Sequence, residues 1–185
     1  MVAARFLQVL GLMALSSLPT VVAISAIAEE QVPALFRRSQ PATQVLPTPE
    51  AAEPSISALE HAVYEQINQH RVTLGLAPLR LDTRISISAR SHSQNMADRR
   101  IPFGHSNFRQ RVLALDRLVP SRRISENVAY MFTHRETAKR VVQGWLRSPA
   151  HRPSIEGREY RLTGVGVAKG ERGAFYVTQI YIRPH

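Results

Sequence analysis

Two histidines and one glutamate combine reactive side chains with positions at the ends of predicted elements, where they could carry chemistry. His105 lies in a Phe-Gly-His-Ser-Asn stretch after one predicted helix, His151 lies in Ser-Pro-Ala-His-Arg after another, and Glu126 lies at the edge of a predicted strand. Imidazole and carboxylate groups can hold a divalent metal ion while a coordination position stays open for water. The same groups can act as general acids or bases without a metal. Spacing alone leaves both alternatives open, together with ordinary turn-stabilising hydrogen bonds.

The remaining histidines have simpler interpretations. Four of them lie among polar residues of predicted helices or at the end of the sequence, namely His61, His70, His134 and His185. His92 falls near the apolar stripe of a predicted helix, which favours a buried, hydrogen-bonded packing role over a ligand role. The candidate ligands or acid–base groups are therefore the trio named above.

Helical periodicity predicts the elements that would position these residues. One amphipathic helix runs from about residue 57 to Gly75, and a second begins with Asp82 as its N-cap. A third runs from Thr133, which forms a capping box with a glutamate three residues later, and stops before Pro149. A short helix over Phe108–Leu115 is expected between the second and the third.

Alternating apolar residues predict a β-hairpin near the end of the sequence. Its strands cover about residues 162–168 and 175–181, around a Lys-Gly-Glu-Arg-Gly turn, and the segment 127–132 supplies a third strand. A third strand is expected because two strands alone are only marginally stable. The sequence therefore predicts an α+β fold in which helices pack on a small antiparallel sheet.

The sequence before this domain has two predicted parts. Residues 1–28 have the pattern of a signal peptide, because Arg5 precedes an uncharged apolar stretch that ends in Ala26-Ile27-Ala28, small residues that a signal peptidase accepts. A retained membrane anchor is the alternative, since the apolar run approaches the length of a bilayer span. Residues 29–55 are rich in proline and polar residues and predict an extended linker to a domain over residues 56–185. Both alternatives place that domain outside the cytoplasm, with no transmembrane segment once the signal is cleaved.

Composition narrows the chemistry and the partners. The chain has no cysteine, which excludes disulfides, thiol nucleophiles and cysteine-ligated zinc. Its formal net charge is +10. An exported cation of this strength meets anionic envelope polymers and lipid headgroups rather than nucleic acid, although a generic basic surface is the alternative.

Six short motifs in a fixed order resemble the CAP superfamily in its bacterial, SCP-like or YkwD-like form. Together they span about residues 57–183. They are Ala89-x-x-His92-Ser93-x-x-Met96-Ala97, Gly104-His105-Ser106, Ser125-Glu126-Asn127-Val128-Ala129, Trp145-Leu146-x-Ser148-Pro149-x-His151-Arg152, Thr163-Gly164-Val165-Gly166-Val167-Ala168 and Tyr176-Val177-Thr178-Gln179. The resemblance implies an α-β-α sandwich with a central cleft that histidines and glutamates line.

The resemblance also implies which residues line that cleft. Its positions fall on His105, Glu126 and His151, which are the predicted metal ligands and the candidate catalytic residues. Zinc is the first candidate ion because the set has no thiolate, and nickel or copper would also suit it. Many eukaryotic members carry a second glutamate where this chain has Ser148, so the four-residue set is incomplete. Additional candidate ligand-binding groups are Asn107, Ser148 and Gln179.

Three classes of function follow from these expectations. The favoured one is a non-catalytic, exported binding module whose cleft holds a divalent ion, a small anion or a small lipid. The first alternative is an envelope or matrix protein that binds polyanions through its basic surface, with a vestigial cleft. The second is a peptidase or esterase in which Glu126 is the base. No Gly-x-Ser-x-Gly or His-Glu-x-x-His motif supports hydrolysis.

Overall fold

The computed structural model of the protein describes residues 55–132 and 136–185, which form three layers. On one side of the sheet lie helices α1 (Ile56–Thr73), α4 (Thr137–Arg147) and α5 (Arg152–Glu156), and on the other lie α2 (Thr83–Ala97) and α3 (Phe108–Leu118). The strands are β1 (Arg80–Leu81), β2 (Ser121–Met131), β3 (Leu162–Lys169) and β4 (Phe175–Pro184), and a 3-10 turn, Glu171–Gly173, joins β3 to β4. The predicted α+β fold, an α-β-α sandwich, is confirmed.

The sheet has the strand order β1-β3-β4-β2. Strand β4 is antiparallel to both β2 and β3, as the sequence predicted for the small antiparallel sheet. Strand β1 corrects that prediction, because its two residues pair in parallel with β3. Strand β2 also begins at Ser121, well before the predicted residue 127. The third strand is therefore longer than its apolar part, and it lies at an edge of the sheet.

Each central strand contributes to two hydrophobic cores, because successive side chains of a strand point to opposite faces. Val165 and Val177 pack with α1 and α4, whereas Leu162 and Ile180 pack with α2 and α3. Trp145 of α4 is 2% exposed and donates its indole N–H to the Val128 carbonyl, 3.0 Å away. Trp145 is therefore a core residue whose one polar group is satisfied.

Polar side chains start the two helices that the sequence delimited best. Ser55 precedes α1, and its hydroxyl accepts from the Ala58 N–H at 3.2 Å. Asp82 precedes α2, and its carboxylate accepts from the Arg84 N–H at 2.9 Å. Each cap satisfies a backbone donor that the first turn of a helix leaves without an internal partner. The predicted N-cap at Asp82 is confirmed.

Several sequence predictions fall outside the described residues. They include the signal peptide, the linker up to residue 54 and the capping residue Thr133. The described part of α4 begins at Thr137, and Glu136 before it makes no side-chain cap. Within residues 55–132 and 136–185, no helix combines the length and the apolar character that crossing a bilayer requires.

A buried arginine fixes the chain around α5. Arg71 of α1 is fully buried, and its Nη1 donates to the carbonyls of Ile155, at 2.6 Å, and Gly157, at 3.0 Å. Its Nε donates to the carbonyl of Ala77 at 3.0 Å. One guanidinium thus fastens α1 both to the segment before β1 and to the C-terminal end of α5. This anchoring holds α5, and with it His151 at the start of α5, against the sandwich.

Candidate functional site

Glu126 occupies the centre of the candidate site, on the edge strand β2. In the strand register it is paired with Ile180, so its side chain points to the face that α2 and α3 cover. The next residue, Asn127, is paired with Gln179 and points to the opposite face. The side chain of Glu126 is only 1% exposed. A carboxylate buried this deeply requires charged or hydrogen-bonding partners.

Arg111 and His105 provide those partners. Arg111 donates from Nε to Oε2 of Glu126 at 2.9 Å and from Nη2 to Oε1 at 2.7 Å, which is a two-pronged ion pair. Nδ1 of His105 lies 2.9 Å from the same Oε1. Three hydrogen bonds therefore converge on one carboxylate.

These contacts determine the charge of Glu126. Burial alone would raise the pKa of this carboxyl, but the hydrogen bonds from His105 and Arg111 outweigh it and hold the pKa below its ordinary value. Glu126 is therefore ionised at neutral pH and can only accept hydrogen bonds. His105 must carry a proton on Nδ1, and in the neutral ring its Nε2 is then the free acceptor. The His105 side chain is half exposed, so that edge of the ring faces solvent.

Arg111 is a site residue that sequence reasoning missed. It lies on α3, one turn before the buried Leu115, and its Nη1 also donates to the Ser106 carbonyl at 2.6 Å. It therefore fastens both the strand that carries Glu126 and the loop that carries His105. The one available signal was an arginine on the same face of α3 as a core leucine, a position where a cation requires a buried partner.

His92 is a second neighbour of Glu126. Its Nε2 lies 2.8 Å from the Gly104 carbonyl, to which it donates, and 3.7 Å from Oε1 of Glu126. Burial lowers the pKa of His92 and keeps its ring neutral. The predicted packing role is confirmed, and the packing is against the loop that leads to His105.

His151 lies apart from this network. It precedes α5, and its Nδ1 is 2.7 Å from the hydroxyl of Ser148. Its backbone carbonyl accepts from Nδ2 of Asn127 at 3.2 Å, which places it beside the face of β2 opposite to Glu126. Burial, and then the nearby charge of His105, lower the pKa of His151. The structure therefore brings His105 and Glu126 into direct contact and leaves His151 outside their hydrogen bonds.

The other predicted ligand-binding residues are dispersed. Ser148 contacts His151, as described. Asn107 is the residue before α3 and lines a separate pocket of about 430 Å³ between α2 and α3. Gln179 is fully buried; its amide nitrogen donates to Thr163 at 3.1 Å and its oxygen accepts from Tyr181 at 2.9 Å. Their contact with a ligand stays a prediction.

The arrangement does not fit a metal ion bound directly to Glu126. Both oxygens of its buried carboxylate are already occupied by donors, and the guanidinium of Arg111 would repel a second cation placed beside them. No three histidine, aspartate or glutamate side chains of residues 55–132 and 136–185 lie together as a metal-binding set. Zinc held by His105, Glu126 and His151 stays a prediction, and it would require Arg111 to move away.

A pocket of about 320 Å³ opens beside the exposed edge of His105. Its wall combines polar, charged and aromatic side chains: His105, Phe108, Arg123, Ile124, Ser125, Glu126 and Tyr160. The guanidinium of Arg123 lies 6.0 Å from the centre of the Tyr160 ring and 3.1 Å from a carboxylate oxygen of Glu159. The groups that can hydrogen-bond a ligand in this pocket are the exposed edge of the His105 ring and the guanidinium of Arg123. Both carboxylate oxygens of Glu126 are already engaged within the protein.

Comparison of the sequence with known proteins identifies a family and a relative. Residues 64–181 match the model of the CAP, or cysteine-rich secretory protein, family. The chain is 32% identical over 136 residues to the Bacillus subtilis protein YkwD, an alignment that covers 71% of this chain and 50% of YkwD. The chain thus spans about half the length of that relative.

Two solved structures share the fold. One is an extracellular protein containing an SCP domain from Bacillus anthracis, with a TM-score of 0.60 and 25% identity over 74% of this chain and 44% of the other. The other is an outer surface protein from Borrelia burgdorferi, with a TM-score of 0.58 and 20% identity over 69% of this chain and 93% of that protein.

Proposed function

The chain belongs to the CAP family, and from that premise we propose that it is a non-catalytic binding module that works outside the cytoplasm and holds a small anionic group in the cleft between His105 and Arg123. The observation that carries the proposal is the saturated carboxylate of Glu126, because both of its oxygens are engaged within the protein. The cleft therefore offers a guanidinium and an imidazole edge to a ligand, and no unengaged carboxylate among its lining residues.

The same observation argues against hydrolysis. A general base must be free to take a proton and have a pKa near the working pH. Glu126 is shielded from solvent, held by Arg111 and His105, and has a lowered pKa. The pair of Ser148 and His151 is a hydroxyl–imidazole contact, but among the described residues no carboxylate orients the second nitrogen of that ring. A positioned third group is what activates such a pair in serine hydrolases.

The lining of the cleft pocket suits a flat anion. Arg123 supplies hydrogen bonds to a carboxylate or phosphate, Nε2 of His105 donates a further one when the ring is protonated, and the rings of Phe108 and Tyr160 supply an apolar wall. Binding should therefore strengthen as the pH falls toward about 6, where imidazole takes up a proton.

The location outside the cytoplasm rests on two further points. The solved structures that share the fold are named as an extracellular protein and an outer surface protein. The first 28 residues of this chain have the pattern of a signal peptide. Together they support a role at or beyond the cell surface.

Benzoate is a suitable probe for the cleft, because it combines one carboxylate with one flat ring. We expect the full chain to bind it saturably in isothermal titration calorimetry at about pH 6.5, near the ordinary pKa of imidazole. Replacing His105 by glutamine should weaken binding about tenfold, the value of one charge-assisted hydrogen bond. The matched control is His61→Gln, whose side chain is 68% exposed on α1 and should leave the affinity unchanged.

Three outcomes would overturn the proposal. Equal affinity in wild type and His105→Gln would place any binding elsewhere. If wild type binds zinc stoichiometrically and Glu126→Gln abolishes that binding, the site is a metal centre. Turnover of ester or peptide substrates that stops in Glu126→Gln would make the protein a hydrolase.

A further inference from the structure

Arginines converge at one end of the sheet, far from each other in sequence. Strands β1, β2 and β3 all begin at this end and β4 finishes there, because β4 is antiparallel to β2 and β3 while β1 is parallel to β3. The strand ends and the loop before β3 carry six arginines, called here the arginine cluster: Arg80, Arg122, Arg123, Arg158, Arg161 and Arg183.

The backbone contacts place these residues side by side. Arg123 and Arg183 are paired across β2 and β4. The Arg80 N–H donates to the Arg161 carbonyl at 2.8 Å, and the Arg161 N–H donates to the Ile182 carbonyl at 3.0 Å. A guanidinium hydrogen bond from Arg161 to the Arg158 carbonyl brings the loop to the same place. The cluster is thus created by strand register and not by a basic run in the sequence.

Most of this charge is not neutralised within the described residues. All six side chains belong to exposed residues. Glu159 pairs with Arg123 at 3.1 Å, and Asp116 is engaged by the backbone and hydroxyl of Ser121. Arg80, Arg122, Arg158 and Arg183 have no carboxylate partner in residues 55–132 and 136–185. Like charges held this close raise the local potential and favour anions.

The cluster borders a shallow, open depression of the surface. A pocket of about 500 Å³ is lined by Arg158, Glu159, Arg161, Arg183, Pro184 and His185. Among the described residues, Arg158 and Arg183 bring guanidinium groups without a hydrogen-bond partner to this wall, whereas Nη1 of Arg161 already donates to the carbonyls of Arg158 and Tyr160. Planar guanidinium forks match the oxygens of phosphate in pairs, which favours phosphate over a diffuse counter-ion cloud.

We infer that the arginine cluster is a second binding site, which takes a polymer carrying repeated phosphate groups. This inference goes beyond the cleft and does not depend on it, since only Arg123 is shared with the cleft pocket. The pocket at this end of the sheet holds one phosphate group of the polymer. Neighbouring phosphate groups of the same polymer then contact the exposed Arg80 and Arg122. The occupant is a flexible polyanion and not a flat membrane.

The test uses the full chain and inorganic polyphosphate as the probe, with binding followed by fluorescence anisotropy at several salt concentrations. Arg158→Gln/Arg183→Gln should bind about tenfold more weakly than wild type, since two phosphate contacts are lost. The matched control, Arg100→Gln/Arg172→Gln, removes the same charge from exposed residues at the opposite end of the sheet. It should bind within about twofold of wild type, and wild-type affinity should fall steeply with salt.

Each alternative outcome overturns the inference. Equal loss in both double variants would mean that net charge alone attracts the polymer. If the wild-type protein does not bind polyphosphate at low salt, the proposed site does not exist. If it binds phosphatidylglycerol vesicles but not polyphosphate, the arginine cluster is a membrane-binding surface instead.

Two further measurements keep the test clear of folding effects. Circular dichroism checks the fold of each variant. The single variant Arg158→Gln lies in a loop, where it removes charge without touching the sheet, and it should bind about threefold more weakly than wild type because one phosphate contact is lost. Benzoate binding in the cleft should persist in every variant, which separates failure here from failure of the proposed function.

Discussion

Among single residues, Arg111 has the largest influence on the candidate site. It is the only fully formed two-pronged partner of Glu126 within the described residues, and it also fastens the loop of His105. A buried carboxylate costs several kcal/mol to keep charged without such a partner. Arg111 therefore makes Glu126 a structural anion that orients His105, where the sequence alone suggested a ligand or a base.

Replacing Arg111 by methionine should have two measurable effects. The free energy of unfolding should fall by about 3 kcal/mol, because a buried carboxylate loses its ion-pair partner. Urea denaturation measures this loss. Zinc affinity should rise in the folded variant, because one side of Glu126 is opened to a cation, and calorimetry with zinc chloride at about pH 7.5, where imidazole is neutral, measures that gain.

The control for this substitution lies two residues earlier on the same helix. Arg109 is exposed, and Arg109→Met should change neither stability nor zinc affinity by more than about 0.5 kcal/mol. Comparable losses in both variants would mean that Arg111 acts only through general helix stability. Tight zinc binding by wild type would mean that Glu126 is not closed to metals.

Among elements, the contact between α2 and β3 determines how closely the helix that carries His92 packs on the sheet. A Cβ added to Gly164 would lie 2.3 Å from the Ser86 nitrogen, and one added to Gly166 would lie 2.0 Å from the Arg90 nitrogen. Both neighbours are helix backbone and cannot rotate away. These two glycines therefore permit close packing of the helix on the strand. Their closeness holds α2, and with it His92, against the sheet.

Substituting Gly166 by alanine should force α2 away from β3. We expect the free energy of unfolding to fall by about 3 kcal/mol, the upper end of typical overpacking costs, because backbone must move to admit the methyl group. Chemical denaturation of the purified variant measures this. Gly144→Ala is the matched control: no atom lies within 4 Å of its added Cβ, and an exposed helix position should gain about 1 kcal/mol. A neutral Gly166→Ala would show that the two elements can separate at little cost.

At the scale of the whole molecule, three groups couple stability to pH. His92, His151 and Glu126 all have a pKa below the ordinary value, the histidines mainly through burial and the glutamate through its hydrogen bonds against the effect of burial. The folded protein thus binds protons less readily than the unfolded chain at each of these positions. Their stabilising effect is complete above the ordinary pKa and is lost as the pH falls toward the folded-state pKa.

The midpoint of thermal unfolding should therefore fall in two stages on acidification. The first stage begins below about pH 6.5 as the unfolded histidines take up protons, and the second begins below about pH 4.5 with Glu126. Differential scanning calorimetry between about pH 8 and pH 3 measures the profile. His92→Gln should flatten the first stage, whereas the exposed His61→Gln should leave it as it is. A midpoint that stays constant between about pH 7 and pH 5 would contradict this account.

The sequence by itself determined the elements, the layers and one contact of the site. Period-3.6 and period-2 patterns, with caps such as Asp82, act locally, so the helices and long strands and their buried faces follow from the order of residues. The resemblance to the CAP family implied that His105 and Glu126 line one cleft, and the structure places them in contact. Tertiary structure alone decided the rest, because strand register and helix packing join residues that no local pattern relates. Tertiary structure placed Glu126 and Asn127, which contacts His151, on opposite faces of β2. It also paired Arg111 with Glu126 and gathered the arginine cluster at one end of the sheet.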